Sequence, residues 1–346
     1  MPTRKKSSAE KTSAVRKVVV TDYIESDLEW EKGVLEDRGI ELDAFQLKGQ
    51  PENEVYEKVK DADVIVVNMV RMPATLIDRL DNCKVIIRHG IGYDNVDVDA
   101  CTRNNIQFAN QPDYCTTDVA EHAISLIMAS ARKLFIARDT LENSSRRGEW
   151  DFSGLFPIRR MEGKVVGIIG LGRIGLQVAR KLQSFGFRLI AADPYVDDSE
   201  FEKAGVERTD LDTLLARADF ITIHTPLNSD TRSLVNRETL AKMKETAYVI
   251  NTARGPIVDA GALAEALESK DIGGAAIDVY DDEPPSQAYP LFHHSNVILT
   301  PHSGWASVES AWAIREKIVG DILSIAEGGN PANMINGVKF SKTGLI

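Results

Sequence analysis

Cysteine is scarce in this chain: three in 346 residues. Cys83, Cys101 and Cys115 have neither the spacing of a metal site nor the even count of a disulfide framework. No metal is expected, and a reducing compartment, the cytoplasm, is. Long apolar runs are lacking as well. The longest, Val64–Val67 and Val165–Gly170, fall far short of the ~18 residues of a membrane helix and have the length of buried strands. Positive charge is in deficit, with 41 Lys+Arg against 52 Asp+Glu and a formal net charge of -11. That balance counts against nucleic acid or an anionic membrane as the main partner. The exception is the first stretch, MPTRKKSSAEKTSAVRK, with six basic residues and one acid. It has no apolar segment, which excludes a secretory signal, and residues 1–16 are expected to form a disordered tail.

What remains is ordinary globular composition, 43% apolar and 27% charged, in a chain long enough for two domains. Short β-rich runs alternate with helical stretches. Lys17–Thr21, Glu41–Phe45, Val64–Val67, Val85–Arg88 and Gln107–Ala109 read as strands, and Leu28–Arg38, Asn53–Val59, Ala74–Leu80 and Val98–Asn104 as helices between them. Such alternation implies a parallel sheet with right-handed crossovers. A long helix, Thr117–Lys133, should follow, capped by Thr116 or Thr117, and the polar stretch Asn143–Gly163 reads as a loop containing Pro157. Six more strands are predicted at Val165–Ile169, Arg188–Ala192, Phe220–Ile223, Ala247–Asn251, Gly274–Val279 and Val297–Leu299. This is the size of a doubly wound dinucleotide-binding domain. A helix from Ser307 to Glu327, stopped by Gly328–Gly329 and Pro331, closes the chain.

The sharpest motif is Gly170–Leu171–Gly172–Arg173–Ile174–Gly175. Alone it is weak, but here a strand precedes it, an amphipathic helix Ile174–Ser184 follows, and Asp193 lies at the end of the next strand. Gly170 permits the tight turn, Gly172 lets a diphosphate approach the backbone, and Gly175 allows close helix packing. The diphosphate would rest on the helix N-terminus, beside Arg173 and Ile174, where unpaired N–H groups favour anions. Asp193 suits the ribose hydroxyls and would repel a 2′-phosphate, so NAD is expected rather than NADP.

A second constellation gathers at predicted strand ends: Arg254 in Asn251–Gly255, Glu283 beyond Asp278, and His302 in Thr300–Trp305. In an open α/β sheet that edge binds ligands. An arginine can hold a planar carboxylate by two parallel hydrogen bonds and polarise a keto oxygen. A histidine can exchange the hydroxyl proton, and a carboxylate beside it orients the ring and favours its charged form. Hydride transfer at a carbonyl next to a carboxylate is the chemistry these three groups suit together.

These segments resemble the D-isomer-specific 2-hydroxyacid dehydrogenase family from about Lys17 to Glu327. The resemblance is carried by Arg88–His89–Gly90–Ile91–Gly92–Tyr93–Asp94–Asn95, Val119–Ala120–Glu121, the Gly170–Gly175 loop, Asn251–Arg254 and Pro301–His302. It implies Arg254, Glu283 and His302 as the catalytic trio. It also implies a nicotinamide contact at Asp278 and further cofactor contacts at Thr225, Asn228 and Ala253. The loop of Arg88, Ile91 and Gly92 would grip the substrate carboxylate, with Trp305 over the pocket. The implied fold is two Rossmann-like or flavodoxin-like domains. An NAD-binding domain, residues 113–306, is inserted into a discontinuous substrate domain, residues 17–112 plus 307–346, and a homodimer forms through the NAD domains. Asn110–Gln111–Pro112–Asp113–Tyr114–Cys115 and Trp305 look most like the C-terminal-binding-protein branch, which includes NAD(H)-sensing transcriptional co-repressors. A co-regulator is therefore the alternative to an enzyme, and an NADP-dependent reductase a third reading that Asp193 opposes. Glutamate rather than glutamine at position 283 argues against formate, and the short stretch after the last helix leaves no room for the regulatory domain of long phosphoglycerate dehydrogenases. Arg71 is read as a solvated loop residue or a contact for a second anionic group, and His122, His224, His293 and His294 as structural or surface residues.

Overall fold

The computed structural model describes residues 15–338 and the short strands Phe340–Ser341 and Gly344–Leu345. The expected basic tail lies outside the described residues except for Val15 and Arg16, which belong to the fold. Val15 is fully buried, and the Arg16 amide donates to the Asp63 carboxylate at 2.8 Å.

The strands are β1 (Lys17–Val20), β2 (Glu41–Ala44), β3 (Val64–Val67), β4 (Val85–Arg88), β5 (Gln107–Ala109), β6 (Val165–Ile169), β7 (Arg188–Ala192), β8 (Glu207–Arg208), β9 (Phe220–Ile223), β10 (Tyr248–Asn251), β11 (Gly274–Ile277) and β12 (Val297–Leu299). The helices are α1 (Glu29–Glu36), α2 (Glu52–Val59), α3 (Ala74–Ile77), α4 (Val98–Arg103), α5 (Thr116–Ala131), α6 (Leu134–Arg146), α7 (Arg173–Leu182), α8 (Asp198–Ala204), α9 (Leu211–Arg217), α10 (Arg237–Leu240), α11 (Ala260–Glu268) and α12 (Val308–Ala326). The chain divides into two compact units, Met1–Tyr114 with Val308–Ile346, and Cys115–Ser307.

In the first unit five parallel strands take the order β2-β1-β3-β4-β5, that of a flavodoxin-like doubly wound sheet. β3 and β4 are buried along their whole length, as expected of parallel strands covered on both faces. The returning helix α12 belongs here because Ile314, Ile318, Ile322 and Ile325 form one apolar stripe that packs with Val18, Val64 and Val85. Arg315 fastens it to α1 through two bonds to the Glu31 carboxylate, at 2.5 and 2.6 Å, and the Trp30 and Trp312 rings pack 4.9 Å apart beside them.

In the second unit seven parallel strands run β12-β11-β10-β9-β6-β7-β8. Counted from β6 this is the order 3-2-1-4-5-6 of a dinucleotide-binding sheet, with β12 added at one edge. Only six strands were expected, because the seventh, β8, is a two-residue exposed edge too short to leave a periodic signal. The sequence reading also failed at 116–163. α5 is preceded by Cys115 without a side-chain cap, so neither threonine caps it. Lys133 adopts a left-handed conformation, φ +50°, and starts a new helix, α6, where a single helix and then a loop were expected. α6 was missed because its apolar side chains Leu134, Phe135 and Leu141 face outward, 47–56% exposed, so no core-facing stripe marks it.

Candidate active site

β6 delivers the chain into the glycine loop. Gly170 has φ +89°, and a Cβ there would sit 2.8 Å from the His224 carbonyl oxygen. A Cβ on Gly175 would lie 2.2 Å from the Gly170 oxygen, so only glycine lets α7 start this close to the strand. Gly172 differs: nothing lies within 4 Å of its Cβ position. Two glycines are thus required by the protein's own packing, and the third leaves room for an approaching group, the arrangement a bound diphosphate needs. α7 begins at Arg173 and Ile174 with no side chain capping it, so its first amides remain available to an anion.

Asp193 follows β7 and takes an amide on each oxygen, Leu171 at 2.8 Å and Tyr195 at 2.9 Å. It therefore ties the glycine loop to the second strand, and each oxygen retains acceptor capacity for a hydroxyl. Thr225 comes just after the β9 residue pair whose buried end is His224. The His224 ring meets Thr222 Oγ1 at 2.9 Å, and burial pushes its pKa down to about 3, so it is a neutral, structural group. Asn228 spends its side-chain oxygen on the amides of Asp230 and Thr231, at 2.9 and 3.0 Å, which folds its own turn.

The turn after β10 is built around buried Asn251. Its Nδ2 donates to the Arg254 carbonyl at 2.8 Å and its Oδ1 accepts from the Ala253 amide at 3.0 Å. The Arg254 guanidinium in turn donates to the Ala253 oxygen at 2.8 Å. Gly255 brings this turn against the next one: a Cβ there would lie 2.1 Å from the Tyr280 carbonyl carbon. Gly255→Ala must therefore push the two backbones apart. The expected result is a loss of about 2–3 kcal/mol of stability in urea unfolding, and unchanged stability would show that the contact is not tight.

β11 ends beside Asp278, 1% exposed. Its backbone oxygen accepts the His302 amide at 2.7 Å. Its carboxylate accepts the Thr300 hydroxyl at 2.5 Å and the amides of Ser303 and Gly304, both at 2.9 Å. The loop after β12 is thus wrapped around one buried acid, which holds His302 at φ +52°, a conformation rare outside glycine and maintained only where surroundings over-determine it. From α5, His122 Nε2 approaches the same carboxylate at 3.3 Å and Thr300 Oγ1 at 3.1 Å. Burial opposes ionisation of Asp278, but the bonds from His122, Thr300 and the two amides outweigh it and lower its pKa.

His302 Nδ1 lies 2.8 and 2.9 Å from the two oxygens of Glu283. Burial opposes ionisation of Glu283 too. The hydrogen bond and charge of His302, the Tyr280 amide and the charge of Arg254 more than compensate, and its pKa falls below the usual carboxylate range. Tyr280 supports both sides, its amide on Glu283 at 3.2 Å and its hydroxyl on the Thr300 carbonyl at 2.8 Å. Arg254, Glu283, His302 and Asp278 are therefore assembled at one sheet edge. Trp305 is half-buried in the turn that follows, where its carbonyl accepts the Ser307 amide at 3.0 Å.

The first unit carries the remaining candidates. Arg88 ends β4 and is buried, its guanidinium bonded to Asn68 Oδ1 at 3.3 Å and to the His89 carbonyl. Gly90, at φ +145°, makes room for it: a Cβ would lie 2.6 Å from Arg88 Nη1. The Ile91 carbonyl is held by Asn110 Nδ2 at 2.6 Å, and Gly92 follows in the same half-buried bend. Arg71 is exposed at the end of a loop whose amides, from Asn68, Met69 and Val70, are gripped by Asp22.

Several functional-looking residues carry no local sequence signal. His122 and Tyr280 act on partners from other strands, and Glu25 pairs with His89 at 2.9 Å. The bond and charge of His89 override the burial of Glu25 and draw its pKa down to about 2. Among the described residues no group of His, Cys, Asp and Glu is arranged to hold a metal, and no helix is long and apolar enough to cross a membrane.

Residues 124–304 match the family model described as D-isomer specific 2-hydroxyacid dehydrogenase, NAD binding domain. The chain is 39% identical over 325 residues to a D-3-phosphoglycerate dehydrogenase of Methanocaldococcus jannaschii, an alignment covering 92% of this chain but 59% of that one. It is 36% identical over 292 residues to a glyoxylate reductase of Thermofilum pendens, covering 82% of this chain and 84% of that one. Among solved structures, D-lactate dehydrogenase from Aquifex aeolicus, complexed with NAD and lactic acid, superposes with a TM-score of 0.83 at 27% identity, covering 92% of this chain and 99% of that one.

Proposed function

The chain belongs to the D-isomer-specific 2-hydroxyacid dehydrogenase family, and from that premise we propose that it interconverts 2-keto acids and D-2-hydroxy acids with NAD. The observation that carries this reading is the His302–Glu283 pair at 2.8 Å, set at the sheet edge that also presents Arg254. With Nδ1 engaged by the carboxylate, His302 offers Nε2 to the substrate oxygen. In reduction that nitrogen gives its proton to the keto oxygen, and in oxidation it takes the hydroxyl proton back. Glu283 fixes the ring and balances its charge. Arg254 pairs with the substrate carboxylate and draws electron density from the keto group.

The bound dinucleotide supplies or accepts the hydride. Gly170, Gly172, Arg173, Ile174 and Gly175 would hold its diphosphate, and Asp193 the ribose hydroxyls. Thr225, Asn228, Ala253 and Asp278 would line the nicotinamide half. Arg88, Ile91 and Gly92 are assigned to the carboxylate and Trp305 to side-chain selection. Purified protein should oxidise NADH with glyoxylate, hydroxypyruvate, pyruvate or a longer 2-keto acid. Silence across that panel with both cofactors would sink the proposal, and equal rates with NADH and NADPH would remove the role given to Asp193.

The names of the relatives, D-3-phosphoglycerate dehydrogenase and glyoxylate reductase, favour catalysis over a co-regulator role and set the first substrates to try. The likeness of Asn110–Cys115 and Trp305 to the C-terminal-binding-protein branch supports only the finer placement within the family. A cytoplasmic homodimer completes the reading. Its support is the apolar surface of the second unit, where Trp150 is 81% and Phe156 66% exposed alongside Leu134, Phe135 and Leu141, more than an isolated chain ordinarily leaves in water. Sedimentation at micromolar concentration showing a monomer would remove it.

A further inference from the structure

Asp278 is nearly inaccessible to solvent, and its lowered pKa keeps it ionised at neutral pH. The Thr300 hydroxyl and the Ser303 and Gly304 amides that bind it are neutral dipoles. His122 is different in kind: its Nε2, 3.3 Å from Oδ1, can carry a proton and a full positive charge. His122 comes from α5 and belongs neither to the trio nor to the glycine loop.

Topology places this pair relative to the cofactor. In a sheet of this order the diphosphate sits at the end of β6 and the adenosine on the β7 side, next to Asp193. The nicotinamide then lies on the opposite side, over β9, β10 and β11. Asp278 terminates β11, three strands or about 14 Å from β6. The oxidised nicotinamide ring is a cation and the reduced ring is neutral. A buried carboxylate beside it favours the oxidised form, strongly because few water molecules screen the interaction, and a protonated His122 offsets that bias.

We propose that His122 is a positioning residue that, through the Asp278 carboxylate, balances the affinity of the site for NADH against NAD+. The inference rests on the reading of Asp278 as the neighbour of the nicotinamide. Glutamine at 122 keeps a hydrogen-bond donor and removes the charge. The site then holds an uncompensated anion, and NAD+ gains over NADH. His122 also braces Thr300, so a purely structural role would weaken both dinucleotides alike and leave their ratio unchanged.

The test is fluorescence titration of the full chain with NADH and with NAD+, without substrate, at pH 6, on the protonated side of an ordinary imidazole. The variants are His122→Gln, Asp278→Asn and the pair together. The expected result is a shift of about fivefold in the ratio of the two dissociation constants toward NAD+ in His122→Gln, and no shift when the same change is made in the Asp278→Asn background. An unchanged ratio in His122→Gln, or a shift that persists without the carboxylate, overturns the proposal. Should His122→Gln fail to fold, His122→Asn carries the same test. Binding of both dinucleotides without turnover of any 2-keto acid would defeat the proposed activity and leave this inference standing, whereas binding of neither would defeat both.

Discussion

His302→Gln should lower kcat for 2-keto acid reduction by about 10³-fold, the range for losing a general acid, while NADH binds with nearly unchanged affinity. Glutamine still reaches Glu283 but cannot pass a proton to the keto oxygen. The loss should fall on kcat rather than KM, since the proton moves only as the transition state forms. Steady-state rates read beside NADH fluorescence titration separate the two, and kcat within tenfold of the parent would remove His302 from the chemistry. Glu283 supplies the pH dependence. Its pKa is lowered, so the carboxylate is ionised above the ordinary range and its contribution is lost as pH falls through the lowered value. The interaction is reciprocal: a carboxylate stabilised by the charged ring stabilises that charged ring in return. Glu283→Gln should therefore move the high-pH decline of the reduction to lower pH, by about one unit.

Arg254→Lys should cost about 10³-fold in kcat/KM. Two charge-assisted bonds contribute about 1.5–3 kcal/mol each, and lysine, a single point charge, cannot reproduce the planar fork. The turn that presents Arg254 is fixed independently by Asn251, which bonds the Ala253 amide and the Arg254 carbonyl, so the backbone should survive the change. Melting temperature should accordingly stay close to the parent's. A value of kcat/KM within threefold of the parent would show that the guanidinium does not hold the substrate carboxylate.

The sequence alone determined the alternation of strands and helices, the glycine loop with Asp193 beyond it, and the placement of Arg254, Glu283 and His302 just past strand ends. Each depends on neighbours close in the chain, so apolar periodicity, a fixed glycine spacing and the residue following a strand record it directly. Boundaries shifted by a residue or two, because the last residue of an element is decided by its ladder partners.

Tertiary structure decided the rest. The wrapping of the 300–304 loop around Asp278, the arrival of His122 from α5 at the same carboxylate, the Gly255–Tyr280 contact and the Glu25–His89 pair join segments far apart in sequence. Each partner alone is an ordinary residue in an ordinary turn. α6 stayed hidden for a related reason, since its apolar face points away from its own core and periodicity reports only burial within the chain. A parallel sheet explains the division: it orders strands by crossover rather than by sequence, so the chemistry at its edge is assembled from turns that no local pattern connects.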